Sequence, residues 1–146
     1  ETLYQSQNLS AIDMNVYLSK LSHDAARNYA TGSKVNLKVE SENISIGAKQ
    51  ASPIGLIVNE LITNSLKYAF PITEDCEIKI NLQKAEDQIE LEYADNGIGI
   101  PHDFDWKKSK TLGLKLVRTL VEFQLGGSIE MKSQNGTKFT IKFNVD

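Results

Sequence analysis

Hydrophobic and polar positions change period several times along this 146-residue chain, and each change marks an element. Met14, Tyr17, Leu18, Leu21, Ala25 and Tyr29 recur every three or four residues, the spacing of one helical face. Asp13 precedes them as an N-cap, and Gly32 follows as a stop. Val35, Leu37 and Val39 alternate as a strand, and Ile44 and Ile46 predict a short second one after a turn at Glu42-Asn43. Ser52-Pro53 joins a capping hydroxyl to a proline suited to the first helical position. A second helix is therefore predicted from there to about Phe70, where Pro71 stops it. Its buried side gathers Ile54, Val58, Leu61, Ile62, Ser65 and Ala69.

Ile78, Ile80 and Leu82, then Ile89, Leu91 and Tyr93, alternate on either side of an AEDQ turn and predict a hairpin. A third helix is predicted over 112–125, with Leu114, Val117, Leu120, Val121 and Leu125 inward and Gly126-Gly127 ending it. Ile129 and Met131, then Phe139, Ile141 and Phe143, frame a last hairpin around Asn135-Gly136. Three helices and some six strands predict an α+β fold. Its form is a two-layer sandwich, a mixed and largely antiparallel sheet covered on one face by about three helices. Residues 1–12 read as a linker or the end of an upstream helix, and 13–146 as one domain without repeats.

Composition narrows the function classes. A net charge of −3 with no Lys/Arg run gives no footprint for nucleic acid or a membrane surface. Cys76 is the only cysteine, which excludes an intramolecular disulfide and makes a cytoplasmic home the simplest expectation. No apolar run approaches the ~18 residues that a membrane span needs. The chain begins at Glu1 rather than Met, so a fragment of a longer protein is expected.

Three segments carry possible chemistry. In the second helix, Glu60, Thr63, Asn64 and Lys67 fall in one narrow sector, a polar line on a helix otherwise built for a core. In YADNGIGIP (93–101), a strand ends in Asp95 and passes into a two-glycine loop. In KTLGLKLV (110–117), a short loop enters a helix through Gly113. Each has a plain explanation: a solvated face, a turn at Asp95-Asn96-Gly97, a packing glycine. Together they fit a nucleotide. A carboxylate can accept from an exocyclic amine such as adenine's, glycines admit close approach, and a helix opening offers N–H groups to phosphate. Asn64 offers an oxygen suited to Mg²⁺, and Lys67 a point charge.

The ordered set resembles the N, G1 and G2 boxes of the histidine-kinase-type ATPase family, which also includes type II topoisomerases and heat-shock chaperones. NELITNSLKYAFP, DFDWKKSKTLGLKLV and NGTKFTIKF look most like the catalytic domain of sensor histidine kinases with a short ATP lid. The resemblance covers residues from about 34 to 144. It implies ATP and Mg²⁺ as cofactors, with Asn64 on the metal and Glu60 activating an acceptor histidine. Lys67 would lie near the phosphates and Tyr68 beside the nucleotide. Asp95 would read the adenine amine, with Gly97, Gly99 and Ile100 shaping the pocket. Thr111, Leu112, Gly113 and Leu114 would border the phosphates, and Thr137 would support the adenine end. The implied partners are an upstream phosphoacceptor and dimerisation domain, a response regulator receiver domain and a second copy in a homodimer.

Two departures qualify the match. Gly113 is the only glycine between Pro101 and Gly126, where a long lid has two glycine clusters. Lys107, Lys108 and Lys110 could supply phosphate charge or be simply solvated, and Phe104 and Trp106 could close over the site or pack beneath it. Neither His23, in LSHDAARNYA, nor His102 sits in a phosphoacceptor motif, so the acceptor is expected upstream. The rival readings are an anti-sigma-factor-type serine/threonine kinase and a nucleotide-binding module that transfers nothing.

Overall fold

The computed structural model describes residues 11–29, 35–69, 76–97, 112–133 and 135–146. Strand β1 (Ala11–Asp13) leads into helix α1 (Met14–Tyr29), followed by β2 (Val35–Ser41) and β3 (Ser45–Gly47). Helix α2 (Ala48–Asn64) runs on as a π turn, Ser65–Ala69. The hairpin β4 (Cys76–Ala85) and β5 (Gln88–Asp95) comes next, then α3 (Leu112–Thr119) with its own π turn, Leu120–Gln124, and the hairpin β6 (Ser128–Ser133) and β7 (Thr137–Asn144).

Five strands form one sheet in the order β2-β4-β5-β7-β6. Only β2 and β4 run parallel within it; the other three pairs are antiparallel. The expected mixed, largely antiparallel sheet is what forms, with its alternating apolar residues under the helices. Ile78, Ile80, Leu82, Ile89, Leu91 and Tyr93 are buried from the sheet side, and Met14, Leu18, Ile54, Val58, Leu61, Val117 and Val121 from the helix side. The opposite sheet face carries Lys38, Lys79, Glu92 and Lys138 toward solvent, as one-sided sheets allow.

Asp13 caps α1 as expected, its Oδ1 accepting from the Asn15 N–H at 3.0 Å and the Val16 N–H at 3.4 Å. Two boundaries differ from expectation. Ala11 and Ile12, in the stretch read as linker, pair with β3 in a small antiparallel sheet of their own. Helix α2 begins at Ala48 rather than at Ser52-Pro53, so Pro53 lies inside it. The reason is tertiary. Buried Gln50 donates from Nε2 to the Asn144 carbonyl at 2.9 Å and accepts from the Asp146 N–H at 3.2 Å, tying the extra turn to the end of β7. Pro53 itself forgoes one helical hydrogen bond.

Glycine decides the geometry at two turns. Asn135 and Gly136 both have positive φ, 55° and 113°, as a tight hairpin requires. At the end of the α3 π turn, the Gly127 N–H reaches the Val121 carbonyl at 2.9 Å. A Cβ there would lie 2.1 Å from the Lys142 carbonyl oxygen.

Candidate functional site

Helix α2 brings two of the expected residues to one place. Glu60 and Asn64 lie one turn apart and are both half-buried. Gly113, the second residue of α3, meets them there. A Cβ built on Gly113 would stand 3.0 Å from both Nδ2 and Oδ1 of Asn64 and 3.2 Å from Glu60 Oε2. Leu114 follows, partly buried against the core, and Val117 and Val121 anchor the rest of α3 against α2. A side chain at position 113 would have to displace the two polar groups, so glycine sets how closely the helices approach.

The polar line changes beyond Asn64. Thr63 is buried, and its hydroxyl donates back to the Asn59 carbonyl at 2.8 Å, so it does not share the exposed sector expected for it. Lys67 is exposed on the π turn, whose wider i→i+5 bonding ends the α-helical spacing that aligned it with Asn64. Tyr68 is in the same turn, and its side chain, like that of Leu112, lies outside the described residues, as do Gly99, Ile100 and Thr111. The lid residues Phe104, Trp106, Lys107, Lys108 and Lys110, with His102, also fall there.

The second group surrounds Asp95, the last residue of β5. Its Oδ1 accepts from the backbone N–H of Gly97 at 3.0 Å and of Thr137 at 3.2 Å. Its Oδ2 accepts from the Ser65 hydroxyl at 2.6 Å. Thr137 is buried and is the register partner of Asp95 between β5 and β7. Gly136 comes so close that a Cβ would lie 2.0 Å from the Asp95 carbonyl oxygen. Asn96 clasps the strand end: its Oδ1 accepts from the Glu77 N–H at 2.8 Å, and its own N–H donates to the Glu77 carbonyl at 3.2 Å. The DNG stretch is thus a turn and also the frame of a carboxylate held by three donors.

Sequence reasoning missed what lies behind Asp95. Tyr93 and Ser65 read as core positions, and both are buried, yet their hydroxyl oxygens stand 2.6 Å apart. The Tyr93 hydroxyl also lies 3.0 Å from the Leu61 carbonyl oxygen. Burial holds the Tyr93 phenol above its ordinary range. A polar residue on an apolar helix face, opposite a tyrosine on an inward strand position, was the available signal.

Among the described residues, no three His, Cys, Asp or Glu side chains cluster as a metal site. His23 is exposed on α1, its Nδ1 2.7 Å from the Ser19 carbonyl oxygen, in keeping with an ordinary surface histidine. No helix among the described residues is long and apolar enough to cross a membrane.

The strand-end carboxylate of Asp95 and the meeting of α2 with α3 at Glu60, Asn64 and Gly113 are thus both formed in one framework. The chain belongs to the family described as histidine kinase-, DNA gyrase B- and HSP90-like ATPases, whose model matches residues 49–146. It is similar to the blue-light-activated histidine kinase 2 of Erythrobacter litoralis, 28% identical over 156 residues, covering 100% of this chain and 43% of that protein. It is also similar to the sensor histidine kinase PdtaS of Mycobacterium tuberculosis, 29% identical over 103 residues, covering 68% of this chain and 21% of that one. The chain spans less than half the length of either relative. Among solved structures, the histidine kinase domain of an Erythrobacter litoralis blue-light-activated kinase superposes with a TM-score of 0.83. Its identity is 25%, over 98% of this chain and 70% of that one.

Proposed function

We propose that this domain binds Mg-ATP and, within a longer protein, transfers the γ-phosphoryl group to a histidine of an upstream phosphoacceptor and dimerisation domain. The product would pass its phosphoryl group to the receiver domain of a response regulator, in a cytoplasmic signalling homodimer. The observation that carries this reading is the meeting of Glu60, Asn64 and Gly113, with Asp95 held as an acceptor nearby on the same framework. The similarity to sensor histidine kinases supports the choice of acceptor.

Each residue then has one task. Asp95 accepts a hydrogen bond from the base, and Thr137 and Gly97 fix its orientation. Asn64 supplies one oxygen to Mg²⁺, which neutralises phosphate charge when bound. Gly113 and Leu114 open α3 toward the phosphates, where free N–H groups and the helix dipole favour an anion. Glu60 takes the ring proton of the acceptor histidine as its nitrogen bonds to the γ-phosphorus. The bond between that phosphorus and the bridging oxygen breaks, and ADP leaves. Catalysis here is positioning and charge neutralisation rather than covalent chemistry by the domain.

Labelled ATP given to the full-length protein tests the reading. Acid-labile label that Glu60→Gln abolishes without loss of nucleotide binding is expected. Acid-stable label would point to a serine or threonine acceptor instead. Tight nucleotide binding without any transfer would leave only a binding module.

A further inference from the structure

Ser65 is in an unusual position for a helical serine. A buried hydroxyl on a helix ordinarily bonds back to the carbonyl four residues earlier, as Thr63 does to Asn59. Ser65 instead reaches across to the sheet, 2.6 Å from Asp95 Oδ2 and 2.6 Å from the Tyr93 hydroxyl. It is 4% exposed and Tyr93 1%, so bulk water does not compete for these bonds.

Counting protons fixes the direction of the network. Ser65 and Tyr93 bring one hydroxyl proton each. With Asp95 as a carboxylate, the Ser65 proton must lie toward Oδ2, because two oxygens 2.6 Å apart with no proton between them repel. The Tyr93 proton is then the one left for the Ser65–Tyr93 contact. Its other acceptor, the Leu61 carbonyl, is farther away at 3.0 Å and already receives the Ser65 backbone N–H. Ser65 donates to Asp95, and Tyr93 stands behind it with one proton shared between Ser65 Oγ and the Leu61 carbonyl.

We infer that Tyr93 and Ser65 form a hydroxyl relay that positions Asp95 as a pure acceptor and thereby sets which base the nucleotide site admits. The inference rests on the reading of Asp95 as the base-binding group. Among the described residues Asp95 has three donors, two on Oδ1 and one on Oδ2, which together hold the carboxylate's orientation. A ligand edge must therefore bring a donor. The adenine amine does so, while the carbonyl that replaces it in hypoxanthine meets a fixed oxygen and is repelled. Ser65 and Tyr93 are positioning residues, since they act through Asp95.

The test measures the affinities of ADP and IDP, in which the 6-amine becomes a carbonyl and N1 gains a proton, for the wild-type chain and for Ser65→Ala, Ser65→Thr and Tyr93→Phe. Wild type is expected to favour ADP. Ser65→Ala should reduce the IDP-to-ADP ratio of Kd values about tenfold, because Oδ2 loses the donor it has among the described residues. Ser65→Thr, which keeps the hydroxyl, should hold the ratio, and Tyr93→Phe should lower it about threefold through the weakened second link. A purely structural role would lower the melting temperature or weaken both ligands equally, leaving the ratio unchanged. An unchanged ratio in Ser65→Ala and Tyr93→Phe, with wild type discriminating, overturns the relay alone. Equal wild-type affinity for ADP and IDP overturns the base-binding role of Asp95 and the relay with it. If Ser65→Ala does not fold, Tyr93→Phe decides by the same ratio.

Discussion

The two ends of the candidate site are built differently. Asp95 is held by strand register, two backbone N–H groups and a buried hydroxyl, so its position is inherited from the sheet. Glu60 and Asn64 are carried on one helix turn, and what faces them is the bare Cα of Gly113 on another helix. The end proposed for the base is fixed by directional bonds, and the end proposed for the phosphates by packing distance. Hydrogen bonds impose a geometry, whereas a helix–helix approach can open or close by small sliding. The contrast suits a domain that must select one base yet serve a reaction whose charges move.

Four experiments can break or sharpen that contrast. The largest effect is expected from Gly136→Ala, which puts a Cβ 2.0 Å from the Asp95 carbonyl oxygen at a φ of 113°. A loss of about 2 kcal/mol or more in stability should appear in thermal unfolding, together with loss of ADP binding. An unaffected protein would show that β5 and β7 do not clamp the base end rigidly.

Asp95→Asn against Asn64→Ala comes next. Replacing the acceptor should weaken ADP by about 1.5–3 kcal/mol, ten- to a hundredfold, with or without Mg²⁺. Asn64→Ala should remove only the magnesium-dependent part, leaving binding in a chelator nearly unchanged. Calorimetry in both conditions checks this, and equal metal dependence in wild type and Asn64→Ala would take the metal away from Asn64.

Gly113→Ala is expected to act on the phosphate end alone. Its Cβ would stand 3.0 Å from Asn64, so the asparagine must shift by a few tenths of an ångström. Phosphotransfer by the full-length protein should fall about tenfold, a cost on the order of 1.4 kcal/mol. Melting temperature and the ADP–IDP ratio should hold. A changed ratio would mean that the two ends are not independent.

The smallest effect is in pH. Tyr93 holds its proton more tightly in the fold than in the unfolded chain, because burial disfavours the phenolate. Above about pH 10 the unfolded state releases that proton while the folded state keeps it, so stability falls as pH rises through that region. Urea midpoints measured from about pH 8 to 11 should show the decline, and Tyr93→Phe should flatten it. A decline of equal slope in the variant would assign it to other groups.

Much of this arrangement was legible in the chain. The period-two runs at Ile78–Leu82 and Ile89–Tyr93 had one apolar face, which leaves strand pairing little choice. Asn135-Gly136 needed positive φ, and Asp95 stood where a strand meets glycine. What was hidden depended on distant partners. Ala48–Ala51 turns helical because Gln50 finds the chain's last residues, about a hundred positions away, and no local cue announces that. Ala11 and Ile12 become a strand only because β3 offers an edge. The π turns follow from i→i+5 bonding that side-chain periodicity cannot distinguish over five residues. Ser65 was rightly placed on the buried side, but burial alone does not say which oxygen it will meet.

The β5–β7 pairing also has a consequence in time. Each hairpin, β4–β5 and β6–β7, closes over a short turn and can form early. Residues Asp95 and Thr137 are paired across 42 positions of sequence, and β2 joins β4 in parallel only after helix α2 has crossed between them. Closures of that length are entropically slower than local turns. On that ground the carboxylate frame is expected to be completed after the two hairpins have formed, so the site proposed for the base would be assembled late in folding.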